Sequence, residues 1–81
     1  MKVLLTIENG FSKTLFEGER DEVMSFVKGF DFCREKNLSS PEAIAVLNYM
    51  NTLGDTPAYI NWSNGALAAL ANTKGNLEVR E

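Results

Sequence analysis

The dipeptide Asn9-Gly10 stands between two apolar runs near the start of the chain, and it restricts the possible folds more than any other feature. Asn-Gly is typical of β-hairpin turns, so residues 2–16 are predicted to form two antiparallel strands. A three-residue loop that ends at Gly10 pairs odd-numbered residues with each other and gathers most apolar side chains on one face. That predicted face contains Val3, Leu5, Ile7, Phe11 and Leu15 with the charged Lys13, whereas Leu4, Thr6, Glu8, Ser12, Thr14 and Phe16 take the other face.

Helical spacing follows the hairpin over residues 19–36. The predicted first turn is acidic and the last turn is basic, which is the arrangement that the helix dipole favours. Phe32 lies opposite the apolar stripe of this helix, so it is either a second packing contact or an exposed aromatic residue. The stripe itself recurs at intervals of three and four residues and consists of Val23, Phe26, Val27, Phe30 and Cys33.

A second helix is predicted to begin at Ser39-Ser40-Pro41-Glu42, where a serine can cap the helix and proline suits its first position. Gly54 is predicted to end this helix, because glycine readily adopts the left-handed conformation found after helix C-termini. The predicted core stripe of the second helix is Ala43, Val46, Leu47, Met50 and Leu53.

The last third of the chain is ambiguous. Alternating apolar residues predict a strand over 58–62. The alanine-rich run 66–71 favours a third helix, but Asn64-Gly65 could instead turn a hairpin and make the same run a strand. Residues 77–79 are predicted to close the chain as a short strand.

These elements predict one α+β domain over residues 1–81, with helices on one face of an antiparallel sheet in the order ββααβαβ. The length of 81 residues suits a single domain. Four residues lie in the middle of their stripes and are predicted to be nearly fully buried: Phe26, Phe30, Leu47 and Ile60.

The residue inventory argues against several classes of function. Histidine is absent and Cys33 is the single cysteine, so there is no Cys/His zinc set, no histidine-based catalytic triad and no internal disulfide. We therefore expect no cofactor, no metal and no enzymatic activity, and Cys33 is expected to be a small core residue. The net charge of −3 argues against direct nucleic-acid binding. The apolar run at the start is too short for a signal or a membrane span, so a cytoplasmic location is expected.

The distribution of charge points to a contact surface. Between Ala43 and Thr73 the only charged residue is Asp55. The predicted outward face of the second helix is therefore uncharged, which is typical of interface cores, unless another helix of the chain covers it. A second candidate is the acidic cluster of Glu17, Glu19, Asp21 and Glu22, in which Glu19 and Glu22 are predicted to steer binding to a basic site. The outward face of the second helix consists of Ala45, Asn48, Tyr49 and Thr52.

Three functions remain open. The first is a non-catalytic protein-binding module whose partner is a host protein or complex. In size and acidity the chain is similar to phage and mobile-element inhibitors such as anti-CRISPR proteins, although no motif carries this likeness. The second is a homodimer, which could enclose a small ligand. The third is a small enzyme without a recognisable motif, which the missing histidine disfavours.

Overall fold

A three-stranded antiparallel sheet covered by helices forms the fold in the computed structural model, which confirms the α+β class. The structure describes residues 1–7, 10–37, 40–52 and 57–81, with the side chains of all of these except 40, 50–52 and 57. The elements in chain order are β1 (Lys2–Thr6), β2 (Ser12–Glu17), α1 (Arg20–Lys36), α2 (Ser40–Thr52), α3 (Pro57–Ala71) and β3 (Asn76–Arg80).

The hairpin of β1 and β2 has the predicted register at its turn. Leu5 pairs with Lys13, and the backbone N–H of Ile7 donates to the carbonyl of Phe11 over 2.9 Å. Gly10 has a φ of +73°, a left-handed conformation that costs glycine little. The pairing therefore agrees with a three-residue loop that ends at Gly10; the two residues before Gly10 lie outside the described residues.

A β-bulge interrupts the hairpin between Val3 and Leu4, so that Val3 lies opposite Phe16. The extra residue in the second strand lets both Leu15 and Phe16 pack against the core. The ring of Phe16 stacks on the ring of Phe26, with 4.8 Å between the centroids. The prediction that Phe16 belongs to the opposite face is wrong, because strict alternation fails at a bulge.

Strand β3 pairs with the other edge of β1, which gives the strand order β2-β1-β3. Leu77 lies opposite Leu5, and Val79 lies opposite Val3. The predicted strand over 77–79 is confirmed as part of β3. Because β1 is the central strand and helices cover one of its faces, Val3 and Leu5 are fully buried.

Helix α1 packs its predicted apolar stripe towards the sheet. Phe30 belongs to a core cluster with Leu5, and Val23 belongs to a second cluster with Val3. Full burial of such side chains stabilises the fold by about 1.5–3 kcal/mol each. The predicted burial of Phe26 and Phe30 is confirmed, whereas Val27 is half-buried. The buried residues of α1 are Val23, Phe26, Gly29, Phe30 and Cys33.

Helices α1 and α3 run in the same direction side by side. Asp21 and Ala58, in their first turns, line one hollow. At the other end, the guanidinium of Arg34 donates to the carbonyl of Asn72, which directly follows α3. Helix α2 reverses the chain between them and packs mainly against α3.

Two glycines lie where α1 and α3 approach most closely. A Cβ added to Gly29 would meet the carbonyl oxygen of Trp62 at 1.9 Å, and one added to Gly65 would meet that of Phe26 at 1.9 Å. The main chains therefore contact each other directly at both positions. Phe32, whose exposure the sequence left open, is half-buried next to this crossing, with its ring centroid 5.3 Å from that of Trp62.

The predicted strand over 58–62 is wrong, because α3 includes these residues. A run of only five residues with alternating apolar character is too short to distinguish a strand from about one turn of a helix. The alanine-rich run that follows favours a helix, and in the structure this helix begins at Pro57 and includes both segments. The predicted helix over 66–71 is confirmed as the second half of α3. The sheet therefore has one strand fewer than predicted. The buried residues of α3 recur at helical spacing and are Asn61, Gly65, Ala66 and Ala69.

Two predicted core residues are less buried than expected. Ile60 is 50% exposed, because the helical phase of α3 directs the stripe of small residues inward and Ile60 outward. Leu47 is half-buried at the margin of the core, because α2 lies mainly on α3. Ala43 of the predicted α2 stripe is buried. The predicted contacts of Met50 and Leu53 and the predicted helix end at Gly54 lie outside the described residues.

Candidate protein-binding surface

The outward face of α2 is exposed. The helix begins at Ser40, within one residue of the predicted start, and this phase turns Ala43 inward. Ala45, Asn48 and Tyr49 are all exposed, and Tyr49 has 65% of its surface accessible. The side chain of Thr52, the fourth residue predicted for this face, lies outside the described residues.

Helix α3 adds a second exposed stripe that sequence reasoning missed. Ile60, Asn64, Leu67 and Ala71 follow one another at intervals of four and three residues, and all four are exposed. The erroneous strand over 58–62 hid this stripe by placing Ile60 in the core. The regular spacing of small residues from Asn61 to Ala69 was the signal for a helix that buries the opposite side.

Helices α2 and α3 pack against each other, and both present exposed residues without charge. We call these residues together the uncharged face. Its members carry no charge, Glu42 in the first turn of α2 borders it, and Ile44, Tyr49, Ile60 and Leu67 are its large apolar side chains. A surface of this kind differs from the ordinary exterior of a small domain, which mixes charges of both signs. The full set is Ile44, Ala45, Asn48, Tyr49, Ile60, Asn64 and Leu67.

The acidic cluster at the start of α1 has a structural role as well as a charge. The carboxylate of Glu22 accepts a hydrogen bond from the backbone N–H of Glu19 over 2.9 Å, which satisfies a donor at the helix N-terminus. Glu19 is exposed, whereas Glu22 is half-buried. Asp21 and Glu22 also line a hollow of about 90 Å³ with Ala58, in the first turn of α3. Asp21 and Glu22 thus lie beside α3, on a different helix from the predicted face of α2.

The thiol of Cys33 and the described carboxylates are the candidates for a nucleophile and for metal ligands. Cys33 is buried, and this burial raises the pKa of its thiol by desolvating the thiolate. Such a thiol is a poor nucleophile at neutral pH. Within residues 1–7, 10–37, 40–52 and 57–81, no three acidic or cysteine side chains converge where a metal ion could bind.

Comparison with protein-family models, curated proteins and solved structures finds no match to this chain. None of the helices in the described part of the chain is long and apolar enough to span a bilayer. The arguments for function therefore depend on the surface itself.

Proposed function

We propose that this chain is a non-catalytic protein-binding module that contacts its partner through the uncharged face. The observation that carries the proposal is the exposure of Ile44, Tyr49, Ile60 and Leu67 on two adjacent helices. Single exposed apolar residues are ordinary, whereas patches of several are typical of surfaces that bind proteins, and these four lie on two helices that pack against each other. Tyr49 adds support, because a tyrosine offers a large contact area and loses little conformational freedom when it binds.

The partner that fits best is a protein with an apolar patch bordered by basic residues. Glu17, Glu19 and Asp21 are exposed, and Asp21 lies beside the first turn of α3. Opposite charges at the border of an interface speed the encounter and orient the partners. That the partner is part of a host machine, and that binding inhibits this machine, stays a prediction from chain length and acidity alone.

A homodimer is the second candidate. The chain has a net charge of −3, so most of its surface would repel a copy of itself. The uncharged face is the exception, because two copies could meet there without like-charge repulsion. Light scattering at tens of micromolar distinguishes the two candidates, since a monomer at that concentration removes the homodimer.

The decisive experiment compares proteins captured from the source cells by the wild-type chain and by two variants, Tyr49→Asp and Leu67→Asp. The matched control is Met24→Asp, which introduces the same charge at an exposed apolar residue of α1. We expect one protein to be retained by the wild type and the control and lost by both face variants. The reason is that the new carboxylate would be buried without a partner in the interface.

Unfolding curves accompany the comparison. Tyr49→Asp should unfold within about 0.5 kcal/mol of the wild type, as exposed sites usually do, whereas Leu67→Asp and Met24→Asp should remain folded with a loss of about 1 kcal/mol, because both side chains are partly buried and aspartate is a poorer helix former. A captured protein that all three variants retain equally would show that the uncharged face is not the contact surface. A wild-type dimer that both face variants convert to a monomer would replace the partner protein with a second copy of the chain.

A further inference from the structure

A second hollow lies at the opposite end of the helices from the acidic cluster. It has a volume of about 370 Å³ and separates the turn end of the hairpin from the segment that follows α3. Its hairpin side is apolar, with Leu5 at the base and the exposed Ile7 and Phe11 on the wall. Its other side is polar and includes Thr73 and Lys74.

Two lysines from distant parts of the chain converge on this hollow. Lys13 lies opposite Leu5 in the hairpin and belongs to the otherwise apolar side that faces the helices. Lys74 lines the hollow from the segment after α3. Neither lysine has an ion-pair partner among the described residues, and both are exposed.

An inward-facing lysine on an edge strand can also serve to discourage pairing with other chains. Strand β2 is an edge strand, so this role alone could account for Lys13. It does not account for Lys74, which lies outside any strand and faces the same hollow. Two unpaired cations beside an apolar wall therefore favour a ligand.

The polar wall is held in place before any ligand arrives. The guanidinium of Arg34 donates to the carbonyls of Gly75 at 2.6 Å, Asn72 at 2.7 Å and Lys74 at 3.2 Å. The side-chain amide of Asn72 donates to the carbonyl of Ala68 over 2.8 Å. The bonds of Arg34 therefore fix the segment that follows α3, and they place a guanidinium on the carbonyls of this segment.

We propose that this hollow binds a small monocarboxylate with an apolar tail. Lys13 and Lys74 would hold the carboxylate, and the tail would cover Ile7 and Phe11. A volume of about 370 Å³ lies near the lower end of the range for small-molecule pockets, so it suits a short aliphatic or single-ring acid. This site adjoins the exposed stripe of α3 at Ala71, but its two lysines lie outside the uncharged face, and the proposal does not depend on the proposed protein partner.

The test is a titration of the full chain with sodium octanoate below its micellar concentration, followed through the backbone amide signals by NMR. We expect saturable shifts at Leu5, Ile7 and the 71–74 segment. Lys13→Glu and Lys74→Glu should each weaken binding by about tenfold, since each replaces an attractive charge with a repulsive one. Lys13→Glu removes the attraction for the carboxylate of the ligand. It still leaves a charged side chain on the edge strand, so pairing with other chains stays discouraged.

Lys28→Glu, at an exposed position of α1, is the matched control with the same change in net charge and should bind as the wild type does. Octylamine has an alkyl tail of nearly the same length with the opposite charge and should not shift these signals. Equal affinity of all three variants, equal binding of octylamine, or shifts confined to the uncharged face would each overturn the proposal.

Discussion

Gly29 of α1 and Gly65 of α3 are placed reciprocally, each against the main chain of the other helix. Gly29 lies against the carbonyl of Trp62, three residues before Gly65, and Gly65 lies against the carbonyl of Phe26, three residues before Gly29. Glycine is usually unfavourable inside a helix. Here its missing side chain allows two helices to touch through their backbones.

Substitution of either glycine by alanine should therefore destabilise the fold. Helix propensity alone predicts a gain of about 1 kcal/mol for Gly65→Ala, but an added Cβ at 1.9 Å from a carbonyl oxygen must separate the helices. We expect a loss of about 3 kcal/mol or more, at the upper end of overpacking effects. Urea denaturation measures it, and Gly10→Ala, where nothing lies within 4 Å, should lose only about 1–2 kcal/mol through its left-handed backbone. A stabilised Gly65→Ala would contradict the close packing.

Phe30 and Ile60 should respond very differently to truncation. Phe30→Ala removes a fully buried ring and should cost about 3–5 kcal/mol, a large share of the stability of so small a domain. Ile60→Ala should cost less than about 1 kcal/mol, because Ile60 is half exposed and alanine suits a helix. Thermal unfolding of both variants measures the two losses of stability. Similar losses would show that Ile60 belongs to the core.

Substitution of Arg34 by lysine should destabilise the fold. Its guanidinium donates to three carbonyls and lies 4.5 Å above the ring of Phe30. A lysine ammonium lacks the planar array of N–H donors that reaches the three carbonyls, and it cannot stack on the ring of Phe30 as a guanidinium does. Arg34→Lys should therefore lower the free energy of unfolding by about 1.5–3 kcal/mol. The control is Arg20→Lys at an exposed site, which should change little. Amide exchange in 72–75 should accelerate in the Arg34 variant, and an unchanged rate would argue against this role.

The thiol of Cys33 should be protected in the folded chain. Burial raises its pKa, so the folded state keeps the proton to higher pH than the unfolded state does. Stability is unaffected below the ordinary thiol pKa and falls as the pH rises above about 8.5. A disulfide reagent should react slowly until urea is added, and Cys33→Ala should show a smaller alkaline loss of stability. Rapid labelling of the native chain would show that Cys33 is accessible.

Charge reversal at Glu19 and Glu22 should have two separable effects. Binding to a basic partner should slow and lose salt dependence when both residues are changed to lysine. Glu22→Lys should also destabilise α1 by about 1 kcal/mol, because it removes the acceptor of the Glu19 N–H and places a cation at the helix N-terminus. Glu17→Lys, at an exposed residue of the acidic cluster that lies outside α1, isolates the steering effect in stopped-flow association. Association that does not depend on ionic strength in the wild type would exclude steering.

Local sequence signals determined much of this protein. Gly10 supplied a backbone conformation that few other residues adopt easily, so the loop and its register were predictable. The stripe from Val23 to Cys33 repeats over three turns of α1, which is long enough to distinguish a helix from a strand. The outward direction of Tyr49 followed from the start of α2 at Ser40.

Only the tertiary structure decided the remainder, because it depends on which surfaces meet. The bulge that buries Phe16 and the exposure of Ile60 both follow from how the elements fit together. Local propensity counts a glycine inside a helix as unfavourable, whereas the benefit of Gly29 and Gly65 exists only when a second helix is present. The convergence of Lys13 with Lys74 likewise needs the folded chain, because residues far apart in sequence share a hollow only after the sheet and helices have packed.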